Sequence, residues 1–182
     1  ATPDADLRMG IEGVMAGYIL IRGESGLAFL EDCKMKTQVY RTPQGEEKRL
    51  PFAETYATMQ ALRFLWSDEP DIIDRDRLRQ SMRILLKRKD MADLVIADLA
   101  RWKDWEIQDE LMAMYDDPTF DVPSIKRQIV RFLFNCSQDV ERTPDGEAGP
   151  LPPHAEKALA NLTVLEEKDP RTVINAKRYL IR

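Results

Sequence analysis

The chain has 182 residues, 43% of them hydrophobic and 32% charged, with 8 glycines, 2 cysteines, one histidine and a formal net charge of −5. That length fits one domain with an ample core, and that composition excludes a disordered chain. The acidic balance argues against nucleic acid, whose affinity comes mainly from basic contacts to phosphate, and two cysteines exclude a disulfide framework.

Scarce glycine and plentiful Leu, Ala, Glu, Lys and Arg favour helix over sheet. The chain opens on Ala1 with no signal-type apolar segment, and reads as a piece of a longer protein or a processed mature end. A helix is predicted at about 5–21, ending near Gly23, with a shorter one through Leu27, Leu30 and Cys33. In GESG (23–26), Gly23 reads as a helix stop and Ser25 as a cap; the GxSxG of a nucleophile elbow is absent. Residues 37–52, TQVYRTPQGEEKRLPF, interrupt the helical pattern. VYR and KRL around the PQG turn offer a small hairpin; the plainer expectation is an inserted loop.

Residues 53–66, AETYATMQALRFLW, place Tyr56, Met59, Leu62, Phe64, Leu65 and Trp66 at helical spacing. After SDEPD (67–71) a helix at about 73–88 carries the stripe Leu78, Met82, Leu85 and Leu86. Asp90 is the expected N-cap of the next helix, with Leu94, Val95, Leu99 and Trp102 along it. Asp104 is the expected cap of a partner carrying Ile107, Leu111, Met114 and Tyr115, stopped by Asp116, Asp117 and Pro118. The short link WKDW predicts that these two helices lie antiparallel, stripe against stripe. Pro123 opens a helix running through Ile125, Ile129, Val130, Leu133 and Phe134 to about Asn135. A looser connection, TPDGEAGPLPP (143–153), leads to a helix with Leu159, Leu162 and Leu165 on one face.

First helices of successive hairpins begin near residues 53, 90 and 123, a period that signals a stacked helical repeat. ALRFLW (61–66) echoes IVRFLF (129–134) at an offset of 68. The segments AETYATMQALRFLW, DMADLVIADLARW, EIQDELMAMY and VPSIKRQIVRFLF resemble the HEAT and armadillo-type superhelix, and a repeat region of large bacterial proteins. The resemblance implies an all-α fold: an alpha-alpha superhelix of about four stacked antiparallel hairpins forming a single domain over 1–182. The hairpins fall at approximately 5–36, 53–88, 90–117 and 123–168, with an insertion at 37–52. The C-terminal end, 169–182, closes the stack, because terminal repeats must hide its open face. The resemblance also implies binding of other proteins along an extended surface.

Catalytic chemistry is hard to place. The single histidine, His154, excludes HExxH and reads as a surface residue. No phosphate-binding glycine loop occurs, and no membrane-length apolar run. The acidic pairs Asp116–Asp117 and Asp68–Glu69 read as helix caps. Cys33 and Cys136 read as unpaired small hydrophobes in distant hairpins. No catalytic residue, metal ligand or cofactor is assigned, and no compartment.

Five residues are candidates for contacting a partner. Arg75, Arg79 and Arg83 recur every four residues on the basic helix 75–89, and Trp102 and Trp105 flank the WKDW turn. The alternatives are that the tryptophans close a hairpin core and that the basic helix pairs with the acidic helix 106–117. Arg79 and Arg83 are expected to point outward, so that charge reversal leaves folding nearly intact. The expected function is a non-catalytic protein-interaction or scaffold module of a larger bacterial protein. The partner is another protein or another domain of the same chain; the alternative is an accessory domain of an enzyme whose active site lies elsewhere.

Overall fold

A computed structural model describes residues 10–141 and 149–178. The expected helix start at 5–9, most of the 143–153 connection and the last four residues lie outside the described residues. The fold is all-α: nine α-helices and one two-stranded hairpin among the described residues. It divides into two compact units, ending at Met91 and beginning at Ala92.

In the first unit, α1 (Ile11–Arg22) is joined to α2 (Glu24–Leu30) by one residue, Gly23. Its φ of 58° is open to glycine, and its N–H donates to the Ile19 carbonyl at 2.7 Å. Ser25 is not a cap. It lies inside α2 and its Oγ donates back to the Arg22 carbonyl at 2.8 Å, because Gly23 itself fills the cap position. Gly26 brings α2 against α1: a Cβ there would sit 2.8 Å from the Arg22 Cβ and 3.1 Å from the Tyr18 carbonyl oxygen. Gly26→Ala should therefore destabilise the protein by about 1–3 kcal/mol, the usual cost of overpacking, read by chemical denaturation. After α2 the helix widens to π geometry over Glu31–Lys36.

The 37–52 insertion forms a hairpin rather than an open loop, with β1 (Val39–Arg41) antiparallel to β2 (Glu47–Arg49). The second strand is EKR, one residue earlier than KRL. Gly45, at φ 86°, makes the turn. Helix α3 (Phe52–Ser67) follows and packs against α1. Three polar residues are buried in its first two turns and each is bonded. Glu54 accepts from Lys34 Nζ at 2.5 Å, Thr55 donates to the Lys34 carbonyl at 2.9 Å, and Thr58 donates to the Glu54 carbonyl at 3.0 Å. Helix α4 (Arg75–Ile84) is capped by Asp74, which accepts from the Asp76 and Arg77 N–H groups. It tightens to a 3₁₀ turn over Leu85–Lys87. Its expected stripe, Leu78, Met82, Leu85 and Leu86, is fully buried.

In the second unit α5 (Ala92–Arg101) is followed by a 3₁₀ turn over Trp105–Ile107, then α6 (Gln108–Asp116), α7 (Pro123–Ser137), α8 (Pro153–Lys168) and α9 (Pro170–Lys177). Asp90 does not cap α5; Arg88 holds its carboxylate, with Nη2 at 3.1 Å. Asp104 occupies the cap position of the 3₁₀ turn without a side-chain cap bond, and is buried. The expected close pairing of α5 with α6 is not the main contact. Both pack on α7, whose broad apolar face of Ile125, Ile129, Val130, Phe132, Leu133 and Cys136 also takes α8 and α9. In α8 the inward face is Ala155, Ala158, Leu162 and Leu165, whereas Leu159 is exposed. The C-terminal end contains α9, capped by Asp169, which also accepts from the Tyr115 hydroxyl at 3.0 Å.

Candidate docking face

Helix α1 buries Met15, Ala16 and Ile19. Its outer face leaves Val14 71% and Ile21 84% exposed, and Tyr18 is covered only in part, against Phe29 of α2 at 5.7 Å. Beside that face lies an apolar groove of about 260 Å³ between α1 and α3. Gly13, Ala16, Gly17 and Ala61 form its floor, Leu20 and Phe64 its walls, and Glu12 and Gln60 complete its lining.

Among the described residues no packing contact accounts for the two glycines. A Cβ at Gly13 or Gly17 would meet nothing within 4 Å, and neither has a left-handed backbone. Each costs about 1 kcal/mol relative to alanine in a helix interior. What they do is keep the groove open.

The second unit holds an internal comparison. Extending the sequence echo by one residue gives QALRFLW (60–66) and QIVRFLF (128–134). Arg63 Nη1 donates to Gln60 Oε1 at 2.5 Å, and Arg131 Nη1 to Gln128 Oε1 at 3.4 Å. Burial follows the same order along both segments with one exception: Phe64 is 37% exposed and Phe132 is 1% exposed. The difference is Trp105, whose ring meets Phe132 edge-on at 5.2 Å. Trp105 is held there by a 2.7 Å hydrogen bond from its Nε1 to Asp139 and by stacking on His154 at 6.2 Å. It comes from the turn between α5 and α6. The first unit has only Gly23 between α1 and α2, and among the described residues no aromatic ring contact is made to Phe64.

The five sequence candidates do not form one surface. Trp102 is 4% exposed and belongs to the core; Trp105 is the half-buried cover of Phe132. Arg75 and Arg79 place their guanidinium carbons 5.0 and 5.3 Å from the centre of the Trp66 ring. Arg79 also pairs with Asp76, and its side chain is only 25% exposed; Arg83 is half-buried. The expectation that Arg79 and Arg83 stand clear of the fold is therefore corrected: Trp66 draws Arg79 down onto α3. Arg79→Glu should lower stability by about 1–2 kcal/mol, through loss of the cation–π contact and repulsion by Asp76, read as a lower melting temperature. Arg77 is bound by Glu31, while Asp109 and Asp116 are met by Lys157 and Lys168 of α8.

Around His154 there is little reactive chemistry. Its Nε2 lies 3.2 Å from the Asp139 carbonyl oxygen and 3.6 Å from the Asp139 carboxylate. Lys103 and Trp105 occupy that carboxylate. Cys136 is buried and its thiol is pushed up to about 12, chiefly by desolvation and secondly by Asp139. It stays protonated near neutrality. Both cysteines are free, as expected. Among the described residues no cluster of three or more His, Cys, Asp or Glu is arranged to hold a metal, and no helix is long and apolar enough to cross a membrane.

Comparison with protein-family models, curated proteins and solved structures finds no match for this chain. The class defined by the fold is an all-α protein of two helical units.

The groove residues Gly13, Gly17, Leu20 and Gln60 were not singled out by sequence reasoning. The available signal was three glycines in a stretch whose apolar spacing otherwise reads as helix.

Proposed function

We propose that this chain is a non-catalytic protein-interaction module of HEAT/armadillo-like helical-repeat type. Its docking site is the groove between α1 and α3, and its partner supplies an aromatic side chain that packs against Phe64. One observation supports the reading: Phe132 is covered by Trp105, while its counterpart Phe64 is 37% exposed beside an apolar groove. Aromatic anchors in apolar pockets are the usual centre of protein interfaces. Glu12 adds charge complementarity at the groove, so the partner segment carries a basic residue near its anchor.

The test is a selection of displayed peptides against the wild-type protein, with Gly17→Leu, which fills the groove, as the counter-target. Enriched peptides should share a Trp or Phe next to Lys or Arg and should bind Gly17→Leu at least tenfold more weakly. Peptides that bind both proteins equally would contradict the docking site.

A further inference from the structure

A second pocket, of about 430 Å³, opens where the hairpin base approaches the segment after α4, and shares no lining residue with the docking groove. Gln38, Arg49, Leu50, Phe52, Arg88, Lys89 and Asp90 line it. Its volume falls within the few-hundred Å³ range of small-molecule sites.

The charges around it do not balance. Arg88 is nearly buried, with its side chain 9% exposed, and is fully engaged: Nε and Nη2 bond the Asp90 carboxylate at 3.3 and 3.1 Å, and Nη1 donates to Thr55 Oγ1 at 2.8 Å. That pair is neutral. Arg49 and Lys89 remain, both exposed, and neither carries an ion pair among the described residues. The hairpin's own acids are already taken, since Glu47 binds Arg41 and Glu46 binds Lys48. Two like charges therefore face one pocket without a counter-charge, an arrangement that an anion relieves. The amide side chain of Gln38 adds a neutral donor. Phe52 stacks on Tyr56 at 5.7 Å and remains 45% exposed, so part of its apolar surface stays open.

We propose that this pocket binds a small organic phosphate. The phosphate lies between Arg49 and Lys89, where a dianion with several acceptor oxygens matches two cations and an amide. The organic portion, aromatic or apolar, rests on Phe52 and Leu50. The two cations are 40 residues apart in the chain and meet only because the hairpin base and the end of the basic helix converge.

The experiment is calorimetric titration at low salt with adenosine monophosphate, inorganic phosphate and adenosine, using wild type and Arg49→Glu/Lys89→Glu. The expected result is saturable binding of the nucleotide, at least tenfold tighter than of phosphate or adenosine alone, and reduced at least tenfold in the double variant. If that variant melts lower than wild type, Arg49→Gln/Lys89→Gln replaces it and should show the same loss. Phe52→Ala should weaken the nucleotide and leave inorganic phosphate unchanged. Absence of saturable nucleotide binding, binding no tighter than that of phosphate, or equal binding by the charge variants would each overturn the proposal.

Discussion

Trp105→Ala should destabilise the protein by about 3 kcal/mol, whereas Phe64→Ala should cost about 1–2 kcal/mol. The two substitutions act on opposite sides of the same comparison. Trp105 fills the space over Phe132 and its Nε1 bonds Asp139 at 2.7 Å, so truncation leaves a cavity and removes a hydrogen bond. Phe64 is 37% exposed, so truncation removes surface that is already partly in water. In a chain of this size the first change corresponds to a fall in melting temperature of roughly 6–12 °C, and the second to roughly 2–8 °C. Trp105→Phe should recover much of the loss, because a ring again covers Phe132. Equal losses for Trp105→Ala and Phe64→Ala would show that Phe64 is as well covered as Phe132, and the docking groove would lose its basis.

The second large effect is expected at Arg77. Its Nη1 and Nη2 bind the Glu31 carboxylate at 2.6 and 2.9 Å, and Ser81 Oγ donates to the same group at 2.6 Å. Glu31 comes from the π-helical stretch and Arg77 from α4, so the bonds tie the N-terminal helices to α4. Burial pushes the Glu31 carboxyl up, but the bonds from Arg77 and Ser81 outweigh it and hold the group below its ordinary value of 4.5. Arg77→Ala leaves a 6%-exposed carboxylate with only Ser81, and should cost about 3 kcal/mol at neutral pH.

The pH dependence follows from the depressed folded-state value. Stability from this group is fully present above 4.5 and is lost as the pH falls through the lower folded value. Wild type should therefore lose stability below pH 4.5. In Arg77→Ala burial is opposed only by the Ser81 hydrogen bond and the charge of Lys36, the carboxyl protonates at higher pH than in wild type, and the gap between variant and wild type should narrow as the pH falls. Denaturation series at several pH values check this; a gap independent of pH would mean that the Glu31 charge is not what Arg77 stabilises.

The helices were legible because their signals are local. The stripe Leu78, Met82, Leu85 and Leu86 is fully buried as read, and Pro123 and Pro153 open helices as their fixed backbone angle predicts. Capping failed where an unforeseen partner competed. Arg88 takes Asp90, and Gly23 displaces Ser25 from the cap. Side-chain direction on α4 failed for a tertiary reason: four-residue spacing put Arg79 on the polar face, but Trp66 of α3 lies within reach and draws it inward. The docking groove was illegible for the opposite reason. Its defining feature is an absence of side chains at Gly13 and Gly17, and hydrophobic periodicity registers only what is present. The RFL echo, by contrast, carried more than a repeat: it aligned Phe64 with Phe132, the one position in those two segments where burial differs.

The most direct measurement of the docking claim is amide chemical-shift mapping during titration of the isotopically labelled protein with a selected aromatic-anchored peptide. The account predicts that the largest shifts fall on Gly13, Gly17 and Leu20 of α1 and on Ala61 and Phe64 of α3. Shifts concentrated along α4, or in residues 92–178, would contradict it.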